Sequence, residues 1–86
     1  MKTISFSADA LEDFMEIMRT DKAMAKKIQK LIKECLRTPY EGTGEPEALK
    51  YELSGKWSRK INLKDRLVYE VKEDQLFIIS CKGHYD

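Results

Sequence analysis

The residues best suited to chemistry are polar groups in the second half of the chain that a strand pattern does not need. Glu47 follows a loop, Arg66 opens a strand pattern, and His84, the only histidine, stands beside Tyr85 at the end of the chain. A carboxylate, a histidine and an arginine suffice for RNA cleavage by the RNA's own 2′-hydroxyl. The carboxylate takes the 2′-OH proton, the imidazolium protonates the leaving 5′-oxygen, and the guanidinium stabilises the phosphate. This chemistry needs no metal or other cofactor.

Further basic residues on the same predicted strands are candidates for binding the substrate, namely Lys50, Arg59 and Lys60. Each assignment has an ordinary structural alternative. Glu47 could be a loop carboxylate, Arg66 could pair with a neighbouring acid, and Tyr85 could pack on a sheet edge. Pattern alone therefore leaves the ribonuclease site as one interpretation among several.

The charge distribution favours a surface that faces a polyanion. Residues 21–37 and residues 50–66 each carry six basic against two acidic side chains, whereas residues 1–20 have a balance of −2 and the whole chain only +1. Two basic segments in a nearly neutral chain indicate one surface for nucleic acid or for an acidic protein segment.

Length and composition predict a single domain over residues 1–86. A chain of 86 residues, 42% hydrophobic and 36% charged, is typical of a small globular domain. No apolar run reaches membrane-spanning length and no signal-peptide pattern is present, so a cytoplasmic protein without a membrane partner is expected. Cys35 and Cys81 lack metal-ligand spacing and are predicted to be reduced and buried.

Two helices are predicted to follow a short first strand at residues 3–6. Ser7 and Asp21 stand where helix caps are expected, and Pro39 ends the second helix. The predicted core-facing stripes recur at helical spacing. They are Leu11, Phe14, Met15 and Met18 in the first helix, and Met24, Ile28, Leu31, Ile32, Cys35 and Leu36 in the second.

The remainder of the chain predicts strands at residues 49–53, 57–61, 67–71 and from Leu76 onward. Short turns between them imply an antiparallel meander. The expected fold is therefore α+β, with two N-terminal helices packed on a curved antiparallel sheet in the order β-α-α-β-β-β-β.

Four stretches make the chain resemble the YoeB (Txe) toxins of the RelE/ParE superfamily. They are Arg-Thr-Pro-Tyr-Glu-Gly-Thr-Gly-Glu-Pro-Glu-Ala-Leu-Lys (37–50), Leu-Ser-Gly-Lys-Trp-Ser-Arg-Lys-Ile (53–61), Asp-Arg-Leu-Val-Tyr-Glu-Val (65–71) and Cys-Lys-Gly-His-Tyr (81–85). The resemblance covers nearly the whole length and is most specific in the C-terminal half. It departs at Gly83, where family members carry a bulkier residue.

The resemblance implies the toxin of a type II toxin–antitoxin pair, a ribosome-dependent endoribonuclease that cuts mRNA in the A site of the 70S ribosome. It places the general base at Glu47, the phosphate-binding arginine at Arg66, the general acid at His84 with its companion Tyr85, and a supporting lysine at Lys50. It also implies a homodimer and a YefM-like antitoxin whose disordered segment folds onto the toxin.

Two other functions remain open from the sequence. One is a ParE-like toxin that binds DNA gyrase without catalysis, against which His84 and Glu47 argue. The other is a remnant that only binds its antitoxin and, as that complex, operator DNA.

Overall fold

The computed structural model describes residues 3–83, and these form one five-stranded sheet with two helices. The elements in chain order are β1 (Thr3–Phe6), α1 (Ala8–Thr20), α2 (Lys22–Arg37), β2 (Glu47–Ala48), a 3₁₀ turn (Tyr51–Leu53), β3 (Lys56–Lys60), β4 (Arg66–Lys72) and β5 (Gln75–Ser80). This confirms the predicted α+β class and the order of the elements.

Local capping explains where both helices begin and end. The Ser7 hydroxyl accepts a hydrogen bond from the Ala10 amide, and the Asp21 carboxylate accepts one from the Met24 amide. The second helix ends at Arg37, two residues before Pro39. The predicted caps and the predicted end of α2 are confirmed.

The sheet has the strand order β1-β5-β4-β3-β2. Its β2 to β5 strands pair antiparallel as predicted, whereas β1 lies parallel to β5. The two helices lie in the long connection between β1 and its parallel neighbour β5. Parallel neighbouring strands require a crossover connection of this kind. The sheet is therefore mixed, with β5 between β1 and β4.

The predicted strand at residues 49–53 is wrong. Only Glu47–Ala48 pairs with β3, and Tyr51–Leu53 closes a 3₁₀ turn through a hydrogen bond from the Leu53 amide to the Lys50 carbonyl oxygen. Because β2 lies at the edge of the sheet, its short length also limits pairing with other chains.

The predicted core face of α1 is only partly correct. Phe14 packs against the core, but Leu11, Met15 and Met18 are 45%, 57% and 40% exposed. The buried residues are Ala10 and Ile17, and Ile17 was not in the predicted stripe. The helix contacts α2, β1 and β5. The apolar face that α1 buries against them is therefore narrower than the apolar stripe in its sequence.

This correction has a measurable consequence for stability. Ile17→Ala is expected to lower the free energy of unfolding by about 2–5 kcal/mol, because it leaves a cavity in the core. Met15→Ala on the same helix is expected to change it by less than about 0.5 kcal/mol. Urea denaturation followed by circular dichroism measures both, and equal losses would contradict the assigned face.

Helix α2 supplies the larger part of the helical core. Ile28, Leu31, Ile32 and Cys35 are buried, as predicted, while Met24 and Leu36 are half-buried at its margin.

Cys81 is also fully buried, and burial raises the pKa of its thiol to about 11. Both cysteines therefore pack as neutral thiols, and both are free. Within residues 3–83 no helix is long and apolar enough to cross a membrane.

Candidate functional site

Strand register places three of the predicted site residues on one face of the sheet. Glu47 lies opposite Ser58, and Arg66 lies opposite Lys60. Side chains of directly opposed residues point to the same face, and so do those two residues apart on one strand. Since Ser58 and Lys60 are two apart on β3, Glu47, Lys60 and Arg66 share a face. The strands that carry Glu47 and Arg66 are separated by one strand, so they lie roughly 10 Å apart.

Glu47 stands at the exposed end of this face. It lines a groove with the residues that follow it, Ala48 to Tyr51, and Lys50 is exposed in the same segment. The Leu49 amide donates a hydrogen bond of 2.9 Å to the Lys56 carbonyl oxygen, which holds the groove against β3. Glu47 and Lys50 are therefore held on ordered backbone and are open to a large substrate.

Lys60 lies between the other two charged groups and is already paired. Its Nζ lies 2.7 Å from Glu45 Oε2, and both side chains are well exposed. The hydrogen bond from Lys60, together with the charge of Lys60, lowers the pKa of Glu45, and Arg66 lowers it further. We call the face that carries Lys60 and Arg66 the cationic face. Glu45 is a second carboxylate near it, and the sequence analysis did not identify this residue.

Arg59 is not available to a substrate, and the prediction that it binds one is wrong. The residue is 0% exposed. Its guanidinium donates to the carbonyl oxygens of Thr38, Glu41 and Thr43, to Glu34 Oε1 and to the Tyr69 hydroxyl. Arg59 therefore fastens the loop after α2 to the sheet, on the face opposite to Lys60.

Glu34 completes this buried network from the helix side. Its carboxylate accepts the Thr43 amide and lies 3.1 Å from Arg59 Nη1, with 18% of its side chain exposed. The Thr43 hydrogen bond, followed by that from Arg59, lowers the pKa of Glu34. Gly42 has φ +121°, and a Cβ there would overlap Glu34 Oε1, so the loop requires glycine. Trp57 is half-buried and packs on Tyr40.

The C-terminal segment is tied to the start of β4. The register between β4 and β5 shifts at Val68 and Tyr69, so that Ile79 is an extra residue on β5. Beyond this bulge the Arg66 amide donates to the Gly83 carbonyl oxygen at 2.9 Å. The predicted acid His84 and its companion Tyr85 lie outside the described residues, as does Asp86.

Two further features of the site escaped the sequence analysis. Tyr51 is 92% exposed with φ +57°, a conformation that is strained for a bulky residue. Exposed aromatic rings of this kind are typical stacking surfaces for single-stranded nucleic acid. Asp65, which the sequence analysis considered only as one of the acids neighbouring Arg66, is buried. In the sequence, the only sign that Tyr51 could belong to the site was its position directly after Lys50, a predicted substrate-binding residue.

The arrangement brings together a carboxylate, two cationic groups and the backbone that precedes a histidine. It can bind a phosphodiester between Lys60 and Arg66 and offer Glu47 as a proton acceptor. Among residues 3–83, no three His, Cys, Asp or Glu side chains are grouped as ligands for a metal ion.

Residues 6–85 match the family described as the YoeB-like toxin of bacterial type II toxin–antitoxin systems. Toxin YoeB of Escherichia coli K12 is 49% identical over 85 residues, which cover 99% of this chain and 100% of the relative. Toxin RelK of Mycobacterium tuberculosis is 41% identical over 99% of this chain and 100% of its own length.

Solved structures show the same likeness. A YoeB/ParE toxin from Agrobacterium tumefaciens has a TM-score of 0.94 at 38% identity, covering 96% of this chain and 99% of its own. The YoeB of a heterotetrameric YoeB–YefM complex and that of a YoeB dimer, both from Staphylococcus aureus, each give a TM-score of 0.90 at 46% identity, with 96% of this chain and 97% of theirs covered.

Proposed function

The chain belongs to the YoeB-like toxins of bacterial type II toxin–antitoxin systems, and we propose that it is a metal-independent endoribonuclease that cuts mRNA in the ribosomal A site and so inhibits translation. The observation that carries the proposal is the register of the sheet, which gathers Glu47, Lys60 and Arg66 on one face. The Arg66 amide donates a hydrogen bond to the carbonyl oxygen of Gly83, the residue that precedes His84 in the chain.

The proposed reaction uses these groups in sequence. The Glu47 carboxylate accepts the proton of the 2′-hydroxyl, whose oxygen attacks the adjacent phosphorus. The bond from phosphorus to the 5′-oxygen breaks, and the His84 imidazolium donates a proton to that oxygen. The products are a 2′,3′-cyclic phosphate and a 5′-hydroxyl end. Arg66 stabilises the negative charge that accumulates on the phosphoryl oxygens in the transition state.

Substrate binding is proposed to fall to the exposed residues around this centre. Lys50 and Lys60 contact backbone phosphates, and the Tyr51 ring stacks on an unpaired base. Tyr85 accompanies His84 in the site. Arg59 is excluded from this group because it is fully buried.

The exposure of the site supports its dependence on the ribosome. Glu47 and Lys50 lie on an open surface, and no closed cleft of the described residues surrounds them. Such a site orients a flexible RNA poorly by itself, and orientation is a large part of catalysis. We propose that the 70S ribosome supplies it by presenting the A-site codon.

Structures of relatives support the proposed partners. The Staphylococcus aureus structures contain a YoeB–YefM complex and a YoeB dimer. We propose that this chain likewise forms a homodimer and is neutralised by a YefM-like antitoxin, with operator DNA bound only through that complex. An acidic antitoxin segment and mRNA would compete for the same cationic face.

The test is cleavage of a defined mRNA in a purified translation system, mapped by primer extension. Wild-type protein is expected to cut within codons only while ribosomes translate, and His84→Gln is expected to abolish the cuts. Intact mRNA together with arrested growth would overturn the nuclease proposal in favour of another target such as DNA gyrase. Intact mRNA and normal growth would identify a remnant that only binds its antitoxin.

A further inference from the structure

We propose that Asp65 is a positioning residue for the general acid: its buried carboxylate holds the backbone of Gly83, the residue to which His84 is joined, next to the backbone of Arg66. The proposal rests on the proposed ribonuclease function. Asp65 itself touches neither the substrate nor the reacting atoms.

The contacts form a two-sided clamp on Gly83. Asp65 Oδ1 accepts a hydrogen bond of 2.9 Å from the Gly83 amide, and the Gly83 carbonyl oxygen accepts one of 2.9 Å from the Arg66 amide. Both polar groups of one residue are thus bound by two consecutive residues at the start of β4. Since consecutive Cα atoms lie about 3.8 Å apart across a trans peptide, fixing Gly83 restricts where the next residue can be.

Asp65 is itself rigidly held. It is 7% exposed, and its second oxygen, Oδ2, accepts the Asn62 side-chain amide at 3.1 Å. Asn62 Oδ1 in turn accepts the backbone amides of Lys64 and Asp65. The turn between β3 and β4 therefore presents one carboxylate oxygen to Gly83 in a single orientation.

The identity of residue 83 explains why a clamp is useful. Gly83 has φ +89°, a conformation that glycine adopts freely, and a Cβ there would meet nothing within 4 Å. No side chain anchors this point of the chain, and glycine gives the backbone more freedom than any other residue. The hydrogen bonds to Asp65 and Arg66 supply the order that a larger residue would supply by packing.

The test compares Asp65→Ala with Asn62→Ala in the translating system. Both variants weaken the same turn, but only Asp65→Ala removes the acceptor of the Gly83 amide. At a temperature well below both melting transitions, Asp65→Ala is expected to lower the single-turnover cleavage rate about 10–100-fold, because small misplacements of a catalytic group have effects of this size. Asn62→Ala is expected to cause a clearly smaller loss than Asp65→Ala, since it loosens the Asp65 carboxylate but leaves the Gly83 contact in place.

A modified substrate separates positioning from folding. An mRNA with a bridging 5′-sulfur at the mapped cleavage site has a leaving group that needs little protonation, so it bypasses the general acid. The Asp65→Ala defect is expected to shrink to within about 3-fold of wild type on this substrate, as is that of His84→Gln. Asp65→Asn keeps an oxygen for the Gly83 amide and is expected to retain more activity than Asp65→Ala on ordinary mRNA.

The outcomes are distinct. Equal losses for Asp65→Ala and Asn62→Ala, or a loss that persists on the sulfur-containing mRNA, would show that Asp65 only stabilises the turn. Absence of cleavage by the wild-type protein would instead refute the ribonuclease function on which the proposal rests.

Discussion

Glu47→Gln is expected to lower the single-turnover rate of mRNA cleavage by about 10²–10⁴-fold, the usual contribution of a general base. Glutamine keeps the size of the side chain and its place on β2, but it has no carboxylate to accept the 2′-hydroxyl proton. Glu47 is exposed at the edge of the sheet, so the substitution leaves the core unchanged. The measurement is the rate of cleavage at one codon with ribosomes and toxin in excess over mRNA.

Glu52→Gln is the matched control for this experiment. Glu52 is also exposed, and it lies in the adjoining 3₁₀ turn rather than on the cationic face. The Glu52→Gln protein is expected to cleave mRNA at the wild-type rate. If Glu47→Gln cleaved within about 3-fold of wild type, the proton would have another acceptor, and Glu47 would lose its role as base.

Arg59→Ala is expected to be the most destabilising substitution of a charged residue in the described part of the chain. It removes the donors that satisfy three loop carbonyl groups and the Glu34 carboxylate at once. Each buried polar group left without a partner costs about 1–3 kcal/mol, so the total loss in unfolding free energy is about 3 kcal/mol or more. Thermal denaturation followed by circular dichroism is expected to show a melting temperature lower by at least about 10 °C.

Two variants complete this second test. Arg59→Lys retains the charge but cannot bond to all of these acceptors, so most of the loss is expected to remain. Lys60→Ala removes the next residue of β3, whose ion pair with Glu45 is exposed, and is expected to cost less than about 1 kcal/mol. A stable Arg59→Ala protein with weakened mRNA binding would return Arg59 to the substrate-binding surface.

Signals between neighbours in the chain were readable from the sequence. Ser7 and Asp21 cap the two helices, and Pro39 follows the end of the second, where the chain was expected to turn. These predictions succeeded because a cap or a chain break depends on the backbone of the next few residues. The strands from Lys56 onward were readable for a similar reason, since alternation within one strand reports which side chains face the core.

The errors arose where a residue's environment depends on distant parts of the chain. The alternation of β3 already placed Arg59 on the same face as Trp57 and Ile61, yet its charge suggested a surface role. Only the folded chain brings Glu34, the loop after α2 and Tyr69 around it, and so converts an arginine into a buried anchor. Met15 illustrates the opposite case, because a helical stripe does not reveal how much of its width the rest of the protein covers.

By itself the sequence determined the residue types for RNA cleavage, the caps, the order of the elements and the family resemblance. The tertiary structure decided that Glu47, Lys60 and Arg66 share one face and that Arg59 does not belong to it. It also decided that the Asp65 carboxylate accepts a hydrogen bond from the Gly83 amide. The physical reason is that residue type and local spacing set which groups are available and how the backbone turns. Proximity across strands depends on register, and register is fixed only when the whole sheet packs against its helices.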